Sequence, residues 1–231
     1  MPDTISTSPA DGTHVFDDFH SNSAVTTGLL GSLDWLMTTI VGASTPSFVA
    51  SQNGIMRLTT DGTTAHGEAV HLMADKVSLA GGDGVFIRFR ARMGTTLTGN
   101  NFRIGLSASV TATEPAVGVW VNSDAGVISF DVASTNGDIS VAASGVTTLT
   151  SGTTAVVDTW HDYELRLSGT NSNGGPDQVD CFVDGEPAGS IKNSLLGSAE
   201  TMEFSIVHWD DGAGASQVLD IDYYEAYIPR A

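Results

Sequence analysis

Three carboxylates near the end of the chain have a spacing that could support acid–base chemistry: Asp220, Asp222 and Glu225. Glycosidic hydrolysis needs two carboxyl groups across the scissile bond, about 5–5.5 Å apart in retaining enzymes, with one held protonated. Asp220 and Asp222 share a strand face because side chains alternate with a period of two, whereas Glu225 falls on the opposite face unless a β-bulge intervenes. We therefore expect a structural role for these carboxylates and predict no catalytic residues.

Positive charge is scarce and clustered. Nine Lys and Arg residues stand against 27 acidic residues, a formal charge of −18 at pH 7. Arg88, Arg90 and Arg92 nevertheless alternate along one segment. Such a row can hold acidic glycan groups or an acidic patch of a partner by bidentate pairing, or it can form cross-strand ion pairs with Asp162 and Glu164.

An indole at the end of a strand can stack on a sugar ring, although packing at the core or rim is also common for Trp. Trp209 lies at such a position, and Trp120 and Trp160 offer the same chemistry. The predicted partner-binding or glycan-binding residues are Arg88, Arg90, Arg92 and Trp209.

No metal site or cofactor is predicted. The single cysteine, Cys181, excludes a Cys-based zinc site and an internal disulfide framework, and no two histidines have ligand spacing. Calcium is an alternative, because the loops 171–177 and 210–212 could each offer oxygen ligands. Turn chemistry explains both loops equally well.

Charge and hydropathy exclude two classes of partner. A nucleic-acid binder needs clustered positive charge, which an acidic chain lacks, and the apolar runs fall far short of the ~20 residues of a spanning helix. We therefore expect neither nucleic-acid binding nor membrane insertion. The first six residues show no basic and apolar signal pattern, so we expect no secretory signal.

The candidate residues must be positioned by strands. From His14 onward, short apolar segments alternate with Gly, Asn and Asp turns at the spacing of about 8–12 residues that is typical of sandwiches and barrels. Val85 to Met93 alternates most cleanly, and Asp184-Gly185 predicts a two-residue hairpin turn beside a buried Cys181. Strands are predicted at 14–19, 47–51, 54–60, 68–74, 85–93, 101–110, 116–121, 126–133, 138–143, 155–167, 178–184, 187–192, 202–209 and 217–228. Only 32–40 and 194–199 have a helical period.

These patterns predict an all-β fold without a parallel sheet. No internal repeat or linker divides the strands. We expect a polar N-terminal arm over residues 1–13 and a single β-sandwich domain over residues 14–231.

Four segments carry a likeness to a known family. Val85–Met93, after a Gly-Gly-Asp-Gly turn, resembles an F-x-F-x-x strand. Segment 158–165 resembles a W-H-x-x-x-I/L strand, segment 179–187 a V-x-x-Y/F-V-D-G hairpin, and segment 219–227 a closing L-x-I-D-Y strand. Together they resemble the concanavalin A-like lectin/glucanase family, which includes laminin-G-like modules and many virion-surface domains. The resemblance spans residues 14–228 and implies an antiparallel two-sheet jelly-roll β-sandwich, concanavalin A-like.

The resemblance also implies a function. The absence of a signal and of disulfides, a polar arm and a jelly roll together resemble a bacteriophage virion protein. We expect a non-catalytic structural protein, a capsid decoration or cement protein or a head/tail surface protein. It would assemble in the bacterial host cytoplasm and lie on the virion surface, against a major capsid or tail protein lattice and as a homo-oligomer.

Two alternatives stay open. One is a carbohydrate-binding, lectin-like adhesion module that recognises surface glycans. The other is a glycoside hydrolase, because Asp220, Asp222 and Glu225 resemble the E-x-D-x-x-E cluster of family-16-type glucanases. The first position of that cluster is Asp here instead of Glu.

Overall fold

Segments rich in β-branched residues and separated by turn residues form strands throughout the chain. The computed structural model describes residues 4–8, 12–19, 29–30, 33, 35–41, 47–48, 54–72, 77–94, 96–212 and 214–229. The strands in these ranges are β1 (Thr4–Ser8), β2 (Gly12–Asp17), β3 (Leu29–Leu30), β4 (Trp35–Val41), β5 (Ser47–Phe48), β6 (Met56–Thr59), β7 (Gly67–His71), β8 (Val77–Ser78), β9 (Val85–Met93), β10 (Asn100–Ser107), β11 (Gly118–Asp124), β12 (Val127–Ser134), β13 (Gly137–Ala142), β14 (Trp160–Ser168), β15 (Gln178–Val183), β16 (Glu186–Lys192), β17 (Thr201–Asp210) and β18 (Val218–Ile228).

The strands build two antiparallel sheets. The first has the order β1-β2-β18-β9-β14-β15-β16, with β6 also pairing with β18 and β5 pairing with β6. The second has the order β13-β12-β11-β10-β17-β7-β4-β3, with β8 pairing with β17. This arrangement confirms the predicted all-β, two-sheet sandwich. Within the described ranges no helix is long and apolar enough to cross a membrane.

One hydrophobic core fills the space between the sheets. From the first sheet, alternate residues of β9 such as Phe89 are fully buried, and from the second sheet Phe102 meets them edge to face at 6.4 Å between ring centroids. Cys181 is fully buried in the same core, as predicted, and burial raises the pKa of its thiol. Because each sheet turns one face to the core, any surface site must lie on an outer face, at an edge or on a loop.

The two segments with a helical period are not helical where the structure describes them. Residues 35–41 form β4, which is held by its ladder to β7 and by the fully buried Trp35, whose Nε1 donates to Asp17 Oδ2 at 2.8 Å. The β-branched run Thr38 to Val41 favours this extended form. Residues 194–199 contain a bridge and a turn. Ser32 and Asp34 lie outside the described residues.

The predicted Asp184-Gly185 turn is confirmed. Asp184 has φ of 51° and Gly185 has φ of 79°, so both central residues occupy the left-handed region that a type I′ hairpin requires. At the other end of the chain, β1 lies within the segment expected to be a polar arm. It pairs with β2 at the edge of the first sheet, with Ile5 opposite Val15.

Candidate functional site

The predicted row of arginines lies on the outer face of the first sheet. Strand β9 presents it there because the alternate positions of the strand are buried. Each guanidinium meets a carboxylate of the neighbouring strand β18. The ion pairs are Arg88 with Glu225 (2.9 Å), Arg90 with Asp222 (3.2 Å) and Arg92 with Asp220 (2.6 Å).

The carboxylates expected to pair with this row belong to other contacts. Glu164 accepts two hydrogen bonds from Arg166, at 2.7 and 3.0 Å. Asp162 accepts a hydrogen bond from the hydroxyl of Tyr223 at 2.7 Å. Strand β9 lies between β14 and β18, and its arginines pair with the carboxylates of β18.

The three C-terminal carboxylates share this outer face because β18 contains a bulge. The register shifts between Ile221 and Tyr223, which places Glu225 opposite Arg88. Asp220 is buried and accepts a bidentate pair from Arg57 at 2.7 and 2.8 Å, besides the bond from Arg92. Both oxygens of Asp220 are therefore occupied by guanidinium hydrogen bonds within the chain. The cluster is thus an ion-pair ladder.

Aromatic rings lie next to the arginines on the same outer face. The guanidinium carbons of Arg90 and Arg92 lie 5.5 and 4.9 Å from the ring centroid of Trp160. The guanidinium carbon of Arg88 lies 5.5 Å from the ring centroid of Tyr223. The arginines are therefore held by anionic and aromatic neighbours of the same chain. A ligand that bound them would compete with these contacts.

Trp209 lies on the opposite side of the sandwich, in a groove on the outer face of the second sheet. The groove has a volume of about 450 Å³. We call it the Trp209 groove. Its lining residues are Asn101, Arg103, Ala112, Glu114, Asn122, Asp124, Ser129, Asp131, Ser140, Trp209 and Asp211.

Arg103 lies in this groove between two indoles. Its guanidinium carbon is 5.3 Å from the ring centroid of Trp120 and 5.1 Å from that of Trp209. Its Nη1 donates to the carbonyl oxygens of Thr111 and Thr113, which ties the loop after β10 over the sheet. The residue is only 4% exposed, and burial lowers the pKa of its guanidinium.

The position of Trp120 depends on two neighbouring glycines. A Cβ atom on Gly118 would lie 2.6 Å from Cζ3 of Trp120, and one on Gly105 would lie 2.7 Å from its Cα. Only hydrogen fits at these distances, so glycine at both positions leaves the space that Trp120 occupies next to Arg103.

Asp131 is the buried acid of the groove. It lies opposite Trp120 in the ladder between β11 and β12 and is 7% exposed. Burial raises the pKa of its carboxyl, although Ser129 Oγ donates to Oδ2 at 3.0 Å and Arg103 lies nearby. The neutral form of Asp131 is therefore favoured more than that of an ordinary aspartate.

The loops considered for calcium make internal hydrogen bonds. Asn171 donates from Nδ2 to the carbonyl oxygens of Pro176, Ser194 and Leu196, which places a donor in the centre of its loop. Buried Asp210 accepts the amide hydrogen of Gly212 at 2.5 Å. Among the described residues, no group of three or more His, Cys, Asp or Glu side chains could hold a metal ion.

The sequence suggested Trp209 as a binding residue but did not single out Arg103 or Asp131, which line the same groove. One signal was present, since Arg103 is a charged residue between Phe102 and Ile104 in an otherwise uncharged strand. Its partners come from β11, β17 and the loop after β10, which local patterns do not bring together.

No protein-family model matches the sequence, and no curated protein matches it either. Solved structures do match over nearly the whole chain. A protein of unknown function from Shewanella oneidensis MR-1 has a TM-score of 0.65 at 9% identity, covering 99% of this chain and 92% of that one. A β-1,3-1,4-glucanase (lichenase) from a mouse hindgut metagenome has a TM-score of 0.55 at 13% identity, covering 94% and 99%. A laminarinase from Flavobacterium sp. UMI-01 has a TM-score of 0.57 at 12% identity, covering 92% and 98%.

These neighbours correct the functional prediction. We expected a virion structural protein, either a capsid decoration protein or a head/tail surface protein. That expectation is wrong. The neighbours include glycan-degrading enzymes and give no support for a virion origin. The part of the resemblance that concerned the fold is confirmed: the chain has the concanavalin A-like jelly-roll fold of glucanases.

Proposed function

We propose that this protein binds carbohydrate in the Trp209 groove. The stack of Trp120, Arg103 and Trp209 at the base of a polar groove carries the proposal. Sugar recognition commonly combines an aromatic surface for the apolar side of the ring with fixed polar groups for the hydroxyls. The groove supplies both, with Trp209 beside the side chains of Asn101 and Asn122.

The stack also makes the site rigid before a ligand arrives. Arg103 is held by two indoles and two carbonyl oxygens, so little side-chain freedom is lost when a sugar binds beside it. The neighbouring structures described as a lichenase and a laminarinase support a carbohydrate ligand by analogy of fold.

Hydrolysis is a second candidate, favoured by one observation. Asp131 has a pKa raised by burial, the property that a general acid in glycosidic cleavage requires. Asp220, Asp222 and Glu225 are not candidates for that role, because they lie on the other sheet and are paired with arginines. Binding without cleavage is our main proposal, because the other acidic residues that line the groove, Glu114, Asp124 and Asp211, are exposed and Asp131 is its one buried carboxyl.

A glycan array tests the binding proposal. We expect the wild-type protein to bind a defined set of glycans and Trp209→Ala to lose that binding. Trp160→Ala is the matched control, since it removes an indole from the outer face of the opposite sheet. An array without signal, or equal binding by Trp209→Ala, would contradict the proposal.

Release of reducing ends separates binding from hydrolysis. We expect none from β-glucans incubated with the wild-type protein. Release that persists in Asp222→Asn and is abolished in Asp131→Asn would instead assign hydrolysis to the groove.

A further inference from the structure

Three side chains of the second sheet form a hydrogen-bonded chain that is separate from the lining of the Trp209 groove. Oγ1 of Thr38 on β4 lies 2.9 Å from Nε2 of His71 on β7. Nδ1 of the same ring lies 2.9 Å from Oε2 of Glu203 on β17. A hydroxyl, an imidazole and a carboxylate in this order are the groups that nucleophilic catalysis uses. We call these three residues the Thr38 triad.

The register of three neighbouring strands brings the triad together. Leu36 of β4 and Ser205 of β17 both lie opposite His71, so Thr38 and Glu203 are each two residues from a cross-strand partner of the histidine. Residues two apart in a strand share a face. The residues between them pack in the hydrophobic core. The triad therefore lies on the outer face of the second sheet.

The hydrogen bonds of the triad have a defined direction when the carboxyl is ionised and the imidazole is neutral. An ionised carboxylate only accepts hydrogen bonds, so Nδ1 of His71 carries the ring hydrogen and donates it to Glu203. Nε2 is then an acceptor, and the hydroxyl of Thr38 donates to it. His71 is thus placed to remove the hydroxyl proton of Thr38 as a general base.

A structural histidine of the same chain differs at this second nitrogen. His161 also bonds a carboxylate through Nδ1, but its Nε2 accepts the amide hydrogen of Val156 at 3.3 Å. Ser205 offers another hydroxyl opposite His71, yet its Oγ lies 2.8 Å from Oγ of Ser107. Thr38 is therefore the hydroxyl that His71 can activate.

Thr38 is also the accessible member of the triad. It is partly exposed, whereas His71 and Glu203 are only 4% and 8% exposed. A β-bulge follows it in β4, where Ile40 has no partner in β7. Bulges of this kind interrupt the ladder and are common next to active sites. A substrate can therefore approach Thr38 while the base and its carboxylate stay buried.

We propose that the Thr38 triad hydrolyses neutral carboxylic esters. Strands β4, β7 and β17 contain no Lys or Arg, so a phosphate or sulfate ester would meet the charge of Glu203 without a cation on these strands. A neutral acyl group meets no such repulsion, and Leu36 offers it an apolar side chain on the same face. This activity does not depend on sugar binding in the Trp209 groove.

The reaction has two balanced halves. Oγ1 of Thr38 attacks the carbonyl carbon of the ester while its proton passes to Nε2 of His71, and the tetrahedral intermediate then loses the alkoxide, which takes that proton and leaves as the alcohol. A water molecule next gives a proton to His71 and attacks the acyl carbon. Collapse releases the carboxylic acid, and the proton returns to Thr38. Glu203 is a positioning residue that holds the ring and stabilises the imidazolium.

Hydrolysis of p-nitrophenyl acetate, followed by the absorbance of the released nitrophenolate, tests the proposal. We expect turnover by the wild-type protein and a loss of about a hundredfold in Thr38→Val, which removes the hydroxyl but keeps the branched shape. Thr38→Ser keeps a hydroxyl and should retain activity. Thr39→Val, at the exposed neighbouring threonine, is the matched control and should equal the wild type.

Two further measurements separate catalysis from a structural role. Peptide mapping by mass spectrometry after brief incubation with the ester and an acid quench should find the acetyl group on Thr38. Glu203→Gln should lower kcat by about a hundredfold and leave KM unchanged, because Glu203 acts on proton transfer and not on substrate binding.

Several outcomes would overturn the proposal. They are wild-type hydrolysis no faster than that in buffer, equal hydrolysis by a folded Thr38→Val, and an acetyl group on another side chain. If Thr38→Val does not fold, the position of the acetyl group in the wild-type protein and in Thr38→Ser decides. A silent glycan array beside active ester hydrolysis would contradict only the proposed function.

Discussion

Nδ1 of His161 lies 2.8 Å from Oδ2 of Asp184 and joins strand β14 to the hairpin between β15 and β16. The same carboxylate accepts the amide hydrogen of Asp162 at 2.8 Å and a short hydrogen bond from the hydroxyl of Thr148. Two motifs that were noticed separately in the sequence, the Trp-His strand and the Asp-Gly turn, are therefore parts of one hydrogen-bonded corner.

Replacement of Asp184 by Asn should weaken this corner. Burial alone would raise the pKa of the Asp184 carboxyl, but the hydrogen bonds from Thr148, His161 and Asp162 outweigh it, and the pKa is lowered. A folded-state pKa below the unfolded value stabilises the protein at neutral pH, and this contribution is lost as the pH falls through the folded pKa. We expect Asp184→Asn to reduce the free energy of unfolding by about 1–3 kcal/mol at neutral pH, and by less in strong acid.

Denaturant unfolding at several pH values measures this effect. Asn tolerates the left-handed backbone that Asp184 adopts, so the substitution changes the charge without adding strain. Equal stability of the wild-type and variant proteins at neutral pH would contradict the assigned role of the carboxylate.

A buried histidine should dominate the response to mild acid. Burial lowers the pKa of His208 to about 3, whereas the unfolded chain has a value near 6.5. Between these values the unfolded state binds one more proton than the folded state, so stability falls as the pH falls, by about 1.4 kcal/mol per pH unit.

His208→Gln should flatten this dependence on pH, because the variant has no proton to gain on unfolding. Its stability at neutral pH should be lower, since the 3.0 Å hydrogen bond between Nε2 and Asn100 is altered. His66→Gln, at a partly exposed histidine beside Asp61, is the control. An unchanged slope for His208→Gln in denaturant titrations would show that another group controls the acid transition.

The ion-pair ladder of the first sheet should contribute to stability in proportion to its burial. The side chain of Asp220 is 2% exposed and serves both Arg57 and Arg92, so Asp220→Ala leaves two guanidinium groups without their main partner. We expect a loss of about 3 kcal/mol. Glu164→Ala breaks the exposed pair with Arg166, which is 57% exposed, and should cost less than about 1 kcal/mol.

Urea unfolding of the two alanine variants gives this comparison directly. Neither variant should change glycan binding in the Trp209 groove, because both residues lie on the other sheet. A loss of binding in Asp220→Ala with the fold intact would show instead that the first sheet takes part in recognition.

Much of the first sheet could be predicted because its strands are buried on one face only. The alternation from Val85 to Met93 gave the correct bounds of β9 and the correct outward face for its three arginines. Their partners could not be predicted, since β18 lies more than a hundred residues along the chain and its bulge reverses the alternation after Ile221. A period of two cannot reveal a bulge whose position depends on neighbouring strands.

The groove was harder to predict for the opposite reason. Every residue of β10 is buried, because the loop carrying Thr111 and Thr113 covers the outer face of the strand at Arg103. A strand covered on both faces loses the polar alternation that would mark its outer side. Asp131 meets Trp120 only through the register between β11 and β12, so the buried acid of the site was not visible from its own segment.

Glycan binding in the Trp209 groove should require the planar shape of the Arg103 guanidinium in addition to its positive charge. Lys keeps the charge at this position but cannot stack between two indoles or donate in the same geometry to Thr111 and Thr113. We expect Arg103→Lys to weaken glycan binding by about tenfold, because the loop and Trp209 lose their common support. Intrinsic fluorescence should change as well, since Trp120 and Trp209 are two of the four tryptophans of the chain. Arg90→Lys, beside Trp160 on the opposite face, is the matched control and should retain full binding. If Arg103→Lys binds as the wild type does, positive charge alone is sufficient and the stack has no role in recognition.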